Sequence, residues 1–216
     1  MTGVNIIHGH VILPGADKAE PLHLHIEDGK IASVGKAAPI ADHVDASGLI
    51  VAPGIIDFGV FKTDKPAFRF GGITRAALMP DQLPVHDDPA TVRFAALKGK
   101  PDLWVHPLAA ATQGLDGLRM AEIALMKEAG AIAVATGRKW ISDSGVMLRI
   151  MQYCAALNLP VVLHCEDSGV AGQAVATAGE TATLLGLSSA PIVAETLAIA
   201  RDLMLAEESG AHVHFR

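Results

Sequence analysis

The apolar positions fall in short runs separated by polar stretches, and the type of run changes once along the chain. In the first fifty residues, segments 4–7, 11–13, 22–27 and 31–34 are β-type runs divided by Gly, Pro and Asp. Asp28-Gly29 lies between the last two and is a hairpin signal, because both residue types tolerate the positive φ of a tight turn. This part predicts a small β-meander or sandwich. Further on, the runs lose their alternation. Residues 49–52 with 55–56, then 72–79, 103–108, 131–135, 161–165 and 211–215, read as strands buried on both faces. Helical patterns over 118–129, 145–157 and 190–209 lie between several of them, and Pro160 and Gly210 stop two of these helices. Strand–helix–strand repetition predicts parallel strands joined by right-handed crossovers. The expected fold is α/β: an incomplete TIM-type (β/α) barrel of about six βα units over 51–216, preceded by a small β domain over 1–50. Eight strands close such a barrel, so the sheet is either open or a barrel cut short. Segments 59–71 and 80–101 are the least regular and fall where βα loops carry function.

Composition narrows the classes. Half of the 216 residues are hydrophobic and 19% are charged, against about 25% in ordinary domains. Such a chain builds a core and is not disordered in bulk. A net charge of −6 without a Lys/Arg run speaks against a nucleic-acid groove. No run reaches the roughly 18 apolar residues of a membrane span. The first ten residues lack the basic-then-apolar order of a signal peptide. Two cysteines, Cys154 and Cys165, are too few for a disulfide framework. A cytoplasmic protein is expected.

Candidate chemistry rests on the ten histidines. His8/His10, His23/His25 and His212/His214 have His-x-His spacing, which on a strand puts both rings on one face and can chelate a metal. The first two pairs have no carboxylate cluster nearby in sequence. His23 and His25 alternate with Leu22, Leu24 and Ile26, the pattern of a solvated face on a half-buried strand. His212/His214 falls at the end of a predicted barrel strand. His164 follows the apolar run 161–163 and precedes Cys165-Glu166-Asp167. It therefore stands at the C-terminal tip of a buried strand, where α/β folds bind ligands. Spacing alone leaves it either a ligand or a strand-end histidine bonded to backbone. Cys165, with apolar flanks, reads as core. Gly71-Gly72 lacks any phosphate-loop context and reads as a turn. Residues 142–145 carry a helix N-cap signal.

Several segments, in order, resemble a known family. Residues 50–57, Ile-Val-Ala-Pro-Gly-Ile-Ile-Asp, are similar to the opening strand of amidohydrolases. Gly71-Gly72-Ile73-Thr74 through Met79-Pro80-Asp81 resembles the GG-[FI]-T-T…MPN segment of bacterial type I dihydroorotases. His106-Pro107 and residues 122–133, 161–167 and 195–215 continue the match. The resemblance implies a small β domain beside a metal-bearing TIM barrel. It also implies reversible closure of carbamoyl-aspartate to dihydroorotate in pyrimidine synthesis.

The departures fall on the family's working positions. The two zinc histidines after Asp57 correspond to Gly59 and Phe61, and the substrate-gripping Arg to Thr63. The stretch from there to Gly71 is about ten residues shorter than the family's. The Asn of MPN corresponds to Asp81. The Asp-Asp-Gly that ends the fourth strand is replaced by Thr136-Gly137-Arg138. Of the family's metal ligands, His164 alone is matched within these residues. A catalytic zinc needs about three protein ligands and an open position for water, and one imidazole does not supply them. The resemblance, so altered, implies a pseudoenzyme without a cofactor. Such family members support assembly and activity of aspartate transcarbamoylase, so its catalytic chain is the expected partner. Homo-oligomerisation is expected too, because an open edge strand invites association. One alternative is an active zinc dihydroorotase with a rebuilt site from His164, Glu166, Asp167 and His106 with His212 or His214. The other is a truncated amidohydrolase fragment.

Overall fold

The computed structural model describes residues 3–39, 42–100 and 103–216; Pro101, in the irregular segment 80–101, lies outside them. The chain divides into two compact units, residues 1–55 and 56–216. The first holds β1 (Val4–Val11), β2 (Glu20–Glu27), β3 (Lys30–Val34), β4 (His43–Asp45) and β5 (Ile50–Val51). β1, β2 and β3 form an antiparallel meander, with Asp28 and Gly29 at φ 50° and 74° in the hairpin turn. β4 and β5 both run parallel to β1. The runs 4–7 and 11–13 are not two strands. They belong largely to one, β1, kinked at His8 (φ 62°), where the register shifts between Ile6 and Gly9.

The apolar run over 49–56 is also not one strand buried on both faces. Pro53-Gly54 divides it. Its first part pairs only with β1, and its second opens β6 (Ile55–Val60), an end strand of the other sheet. Ile50, Ile55 and Ile56 are exposed.

The second unit continues with α1 (Lys65–Phe70), β7 (Ile73–Leu78), α2 (Pro89–Lys98), β8 (Trp104–Ala110), α3 (Ile123–Glu128), β9 (Ala133–Ala135) and α4 (Ser144–Ala156). After these come β10 (Val161–Leu163), α5 (Ser168–Ala171), β11 (Ala176–Thr177), α6 (Glu180–Leu184), β12 (Ser189–Ala190), α7 (Val193–Ser209) and β13 (Val213–Phe215). The large sheet has the order β6-β7-β8-β9-β10-β13, while β11 and β12 pair only with each other. This is the strand order of a (β/α) barrel, present as a curled half-barrel of six parallel strands.

Local chemistry explains the helices. Asp143 caps α4 by accepting the Val146 N–H at 2.9 Å. Val146, Met147, Ile150, Met151 and Cys154 then fall on one buried stripe. Gly210, at φ 68°, ends α7 as a left-handed C-cap. α3 is shorter than its pattern, because 118–120 belong to the preceding loop and Leu118 points to solvent. α1 and α2 were not legible from hydrophobic spacing, since α2 exposes Phe94 and Leu97 and buries only Val92 and Ala95. Their signal lies in the caps. Asp64 and Asp88 accept the N–H groups of Ala67 and Ala90, each with Pro in the first turn.

The core has two layers. Outside the sheet, Val134, Val161 and Leu163 pack against Ile123, Met126, Met147, Ile150 and Met151. Inside the curl, Ala77, Met79, Leu108, Ala133, Ala135 and Val162 form a second cluster, with Phe61 on it. Ile150 is fully buried in the outer layer. Ile150→Ala is expected to lower unfolding free energy by about 2–5 kcal/mol, as lost transfer energy plus a cavity. Urea denaturation checks this; a loss below about 1 kcal/mol would mean the layer closes over the gap.

Candidate functional site

In (β/α) barrels, ligands meet the C-terminal ends of the strands. Here the loops at that rim are tied to one another. The Met79 N–H donates to the Val60 carbonyl at 2.8 Å, joining the ends of β6 and β7. Gln82 Nε2 donates to the carbonyls of Phe61 (3.0 Å) and Met79 (3.1 Å). Asp81 Oδ1 accepts the Arg138 N–H at 3.0 Å, and Thr136 Oγ1 accepts the His164 N–H at 3.0 Å. The Arg216 N–H donates to the Leu163 carbonyl at 3.1 Å.

Phe61 stands at the centre. Its ring rests on the inner cluster, and two guanidiniums stack on it, with Arg138 Cζ 3.9 Å and Arg216 Cζ 4.6 Å from the centroid. Gly59 lies beside Arg216, whose Nε would be in ordinary contact at 3.4 Å with a Cβ there, and its φ of 127° favours glycine. Phe58 and His214 touch edge to face at 4.9 Å. The sheet therefore curls far enough for side chains of its first and last strands to meet. Gly137, at φ 72°, is seated against Asp81 and Leu115. The structure thus gathers Gly59, Phe61, Asp81, Thr136, Gly137 and His164 on one rim. Arg138, Arg216 and Gln82 complete it. Sequence reading named Arg138 only as a replacement and gave the other two no role.

Other candidates lie elsewhere. Thr63 lines a separate cavity of about 360 Å³ with Lys98 and Gly99. His106 sits low on β8 beside Arg75 Nη1 (3.4 Å), and burial with the charges of Arg75 and Lys100 lowers its pKa. In register, His164 is level with Gly137 and Thr112, six residues beyond His106, or about 20 Å along the strands. Asp167 caps α5 through the N–H groups of Gly169 and Val170. Glu166 lines a cleft with Glu195 near β11 and β12. His212 precedes β13, and His214 lies within it against Phe58, in register with Val162 and so two residues short of His164. The rebuilt zinc site is therefore not assembled.

In the first unit, His8 Nδ1 meets Asp45 Oδ1 at 3.0 Å and His25 Nδ1 meets the buried Asn5 Oδ1 at 3.1 Å. His23 and His25 are half-buried and engaged in such bonds, not a freely solvated face. The Ser47 hydroxyl, His8 and the Ser47 N–H together hold the Asp45 pKa down to about 2. Burial pushes the thiols of Cys154 and Cys165 up to about 12 and 11, which suits core packing and not nucleophilic attack.

The loop that carries Arg138 is anchored from behind. Arg201 of α7 donates from Nη1 to the carbonyls of Ile141 (2.7 Å) and Ser142 (3.3 Å) and stacks on Trp140 at 3.9 Å. Its Nε also donates to Asp202 Oδ1 at 2.9 Å. Asp202 is only 1% exposed, and burial raises its pKa against the opposing pull of Arg201.

The donor set of the rim does not fit a metal. Among the described residues no three His, Cys, Asp or Glu side chains form a group able to hold one. Where the resemblance puts zinc histidines there are a glycine and a phenylalanine carrying two cations.

The second unit has the fold of a (β/α) half-barrel with its rim at the strand C-termini. The dihydro-orotase-like family matches residues 52–216, and the chain belongs to that family. It is 38% identical to a dihydroorotase of Syntrophotalea carbinolica, over 97% of this chain and 53% of that protein. It is 32% identical to a dihydroorotase-like protein of Pseudomonas putida, over 98% of this chain and 54% of that one. The chain thus spans about half the length of the curated relatives it matches. In fold it is similar to the L-hydantoinase of Arthrobacter aurescens, with a TM-score of 0.76 and 21% identity over 100% of this chain and 52% of that one.

Proposed function

We propose that this chain is a non-catalytic dihydroorotase-like protein of pyrimidine biosynthesis that acts in the cytoplasm as a scaffold for the catalytic chain of aspartate transcarbamoylase. The observation that carries the reading is the pair Arg138 and Arg216 on Phe61, the residue that stands where the resemblance puts a zinc histidine. Two fixed cations and an apolar ring oppose a dication and supply no base for a metal-bound water. Self-association through the edges at β6 or β13 belongs to the same reading.

The test assays purified protein for interconversion of carbamoyl-aspartate and dihydroorotate, with added zinc and with chelator. The same preparation is analysed for zinc after dialysis and mixed with the transcarbamoylase chain under mass-resolved chromatography. The expected outcome is no chelator-sensitive turnover, no retained zinc and a mass shift on mixing. Chelator-sensitive turnover would establish the zinc enzyme instead, and an unchanged mass would remove the scaffold role. The half-length match to relatives favours one other reading, a fragment of a longer barrel; DNA following codon 216 that encodes two more βα units in frame would establish it.

A further inference from the structure

We propose that the cavity between the loop after β7 and helix α2 binds a small aromatic molecule carrying one N–H or O–H donor, with His86 Nδ1 as its acceptor. The cavity measures about 340 Å³, within the range of small-molecule sites. Leu78, Leu83, Pro84 and Phe94 supply apolar wall, and His86 and Lys98 are among the polar residues that line it. A Phe ring and a Pro ring in the wall favour a flat apolar body. The cavity lies on the outer face of β7. Leu78 belongs with Phe68 and Ala95 to a cluster on that face, whereas its chain neighbours Ala77 and Met79 face into the curl with Phe61. The shortness of α1 keeps it open. The six residues of α1 span about 9 Å, against about 20 Å for the six of β7. α1 lies toward the Lys98–Gly99 end of α2, where the two line a common cavity, and Phe94 one turn back is 70% exposed.

His86 is the polar group that sets the ligand class. The residue is 5% exposed. Its backbone is fixed on both sides: the N–H donates to the Pro80 carbonyl at 3.1 Å, and the carbonyl accepts the Ala110 N–H at 2.8 Å. A hydrogen bond with the Leu108 backbone engages the ring, while Nδ1 is buried and has no partner. The ring proton is therefore on Nε2, and Nδ1 carries the free lone pair. Burial lowers the pKa of the ring against the pull of the Leu108 bond, and the charge of Lys98 lowers it further. The imidazole is neutral at neutral pH, so Nδ1 accepts and does not donate. A buried acceptor without a donor is costly, and a ligand that brings one recovers that cost. Its N–H or O–H meets Nδ1 while its apolar body takes the wall around Phe94 and Leu83. The site does not depend on the chemistry of the rim.

The experiment titrates the full chain with indole, and with indene, which has nearly the same shape and no N–H, while NMR follows the histidine ring nitrogens. Indole should bind saturably, about fivefold or more tighter than indene, and should shift the His86 Nδ1 resonance, which indene moves far less. His86→Leu identifies that resonance by its loss and should bring indole down to the affinity of indene. Ala90→Trp, at an exposed position in the lining, should remove the binding of both. Where His86→Leu melts early, the indole–indene comparison on the unaltered chain and Ala90→Trp still carry the test. Equal binding of the two probes would overturn the proposal and mean that water already serves Nδ1. An unmoved Nδ1 resonance, an Ala90→Trp variant that binds as wild type, or no binding of indole up to its solubility would each overturn it too.

Discussion

Arg201→Met is expected to lower stability at neutral pH by about 3–5 kcal/mol. The substitution keeps much of the apolar contact with Trp140 but leaves Asp202, 1% exposed, as a buried carboxylate without its cation. It also strips the carbonyls of Ile141 and Ser142 of their donor. The pH dependence gives the cause away. Burial holds the folded pKa of Asp202 above its unfolded value even with Arg201 present. A carboxyl raised in this way favours the fold when protonated, so its contribution is full below the unfolded pKa and is lost as pH rises through the folded one. Without Arg201 the folded pKa climbs further. Urea denaturation across neutral to mildly acid pH should show the gap between variant and wild type narrowing as pH falls. A gap that is small at neutral pH or constant with pH would mean that Asp202 takes up solvent when its partner goes.

Gly137→Ala is expected to cost about 2–5 kcal/mol, from a left-handed backbone at about 1–2 kcal/mol and overpacking at about 1–3. The new Cβ would sit 2.9 Å from Asp81 Oδ1 and 3.0 Å from Leu115 Cδ1. Gly72 separates the two contributions, since its φ is 70° with nothing within 4 Å of a built Cβ. Gly72→Ala should lose only the backbone part, about 1–2 kcal/mol. Equal losses at the two glycines in denaturant titrations would show that the loop after β9 yields and that Gly137 is not a wedge.

Much of the half-barrel was legible because strands buried on both faces are continuous apolar runs, as in 103–108 and 161–165. Pro160 and Gly210 marked the boundaries from residue chemistry alone. The run over 49–56 misled, because composition carries no record of which neighbours a strand will have. α1 and α2 escaped for a related reason: a helix on an uncovered flank keeps Phe94 and Leu97 in water and shows no clean stripe, so only its Asp-Pro caps announce it. At the rim, sequence located the altered positions at Gly59, Phe61 and Gly137. It did not show what filled them, because Arg138 and Arg216 are far apart in the chain and meet only when the sheet curls. Thr63 and His106 were drawn to the site by linear proximity or motif and are held away by the turn into α1 and by strand register.

The strand order of the large sheet also has a consequence in time. β7, β8, β9 and β10 each lie beside the strand made just before, and β13 adds after one intervening ribbon and α7. A chain emerging from the ribosome can therefore pair each strand against an edge already built, losing the closure entropy of one crossover at a time. Topology of this kind grows from one end like a row of tiles, each new strand laid on the edge that the last one left.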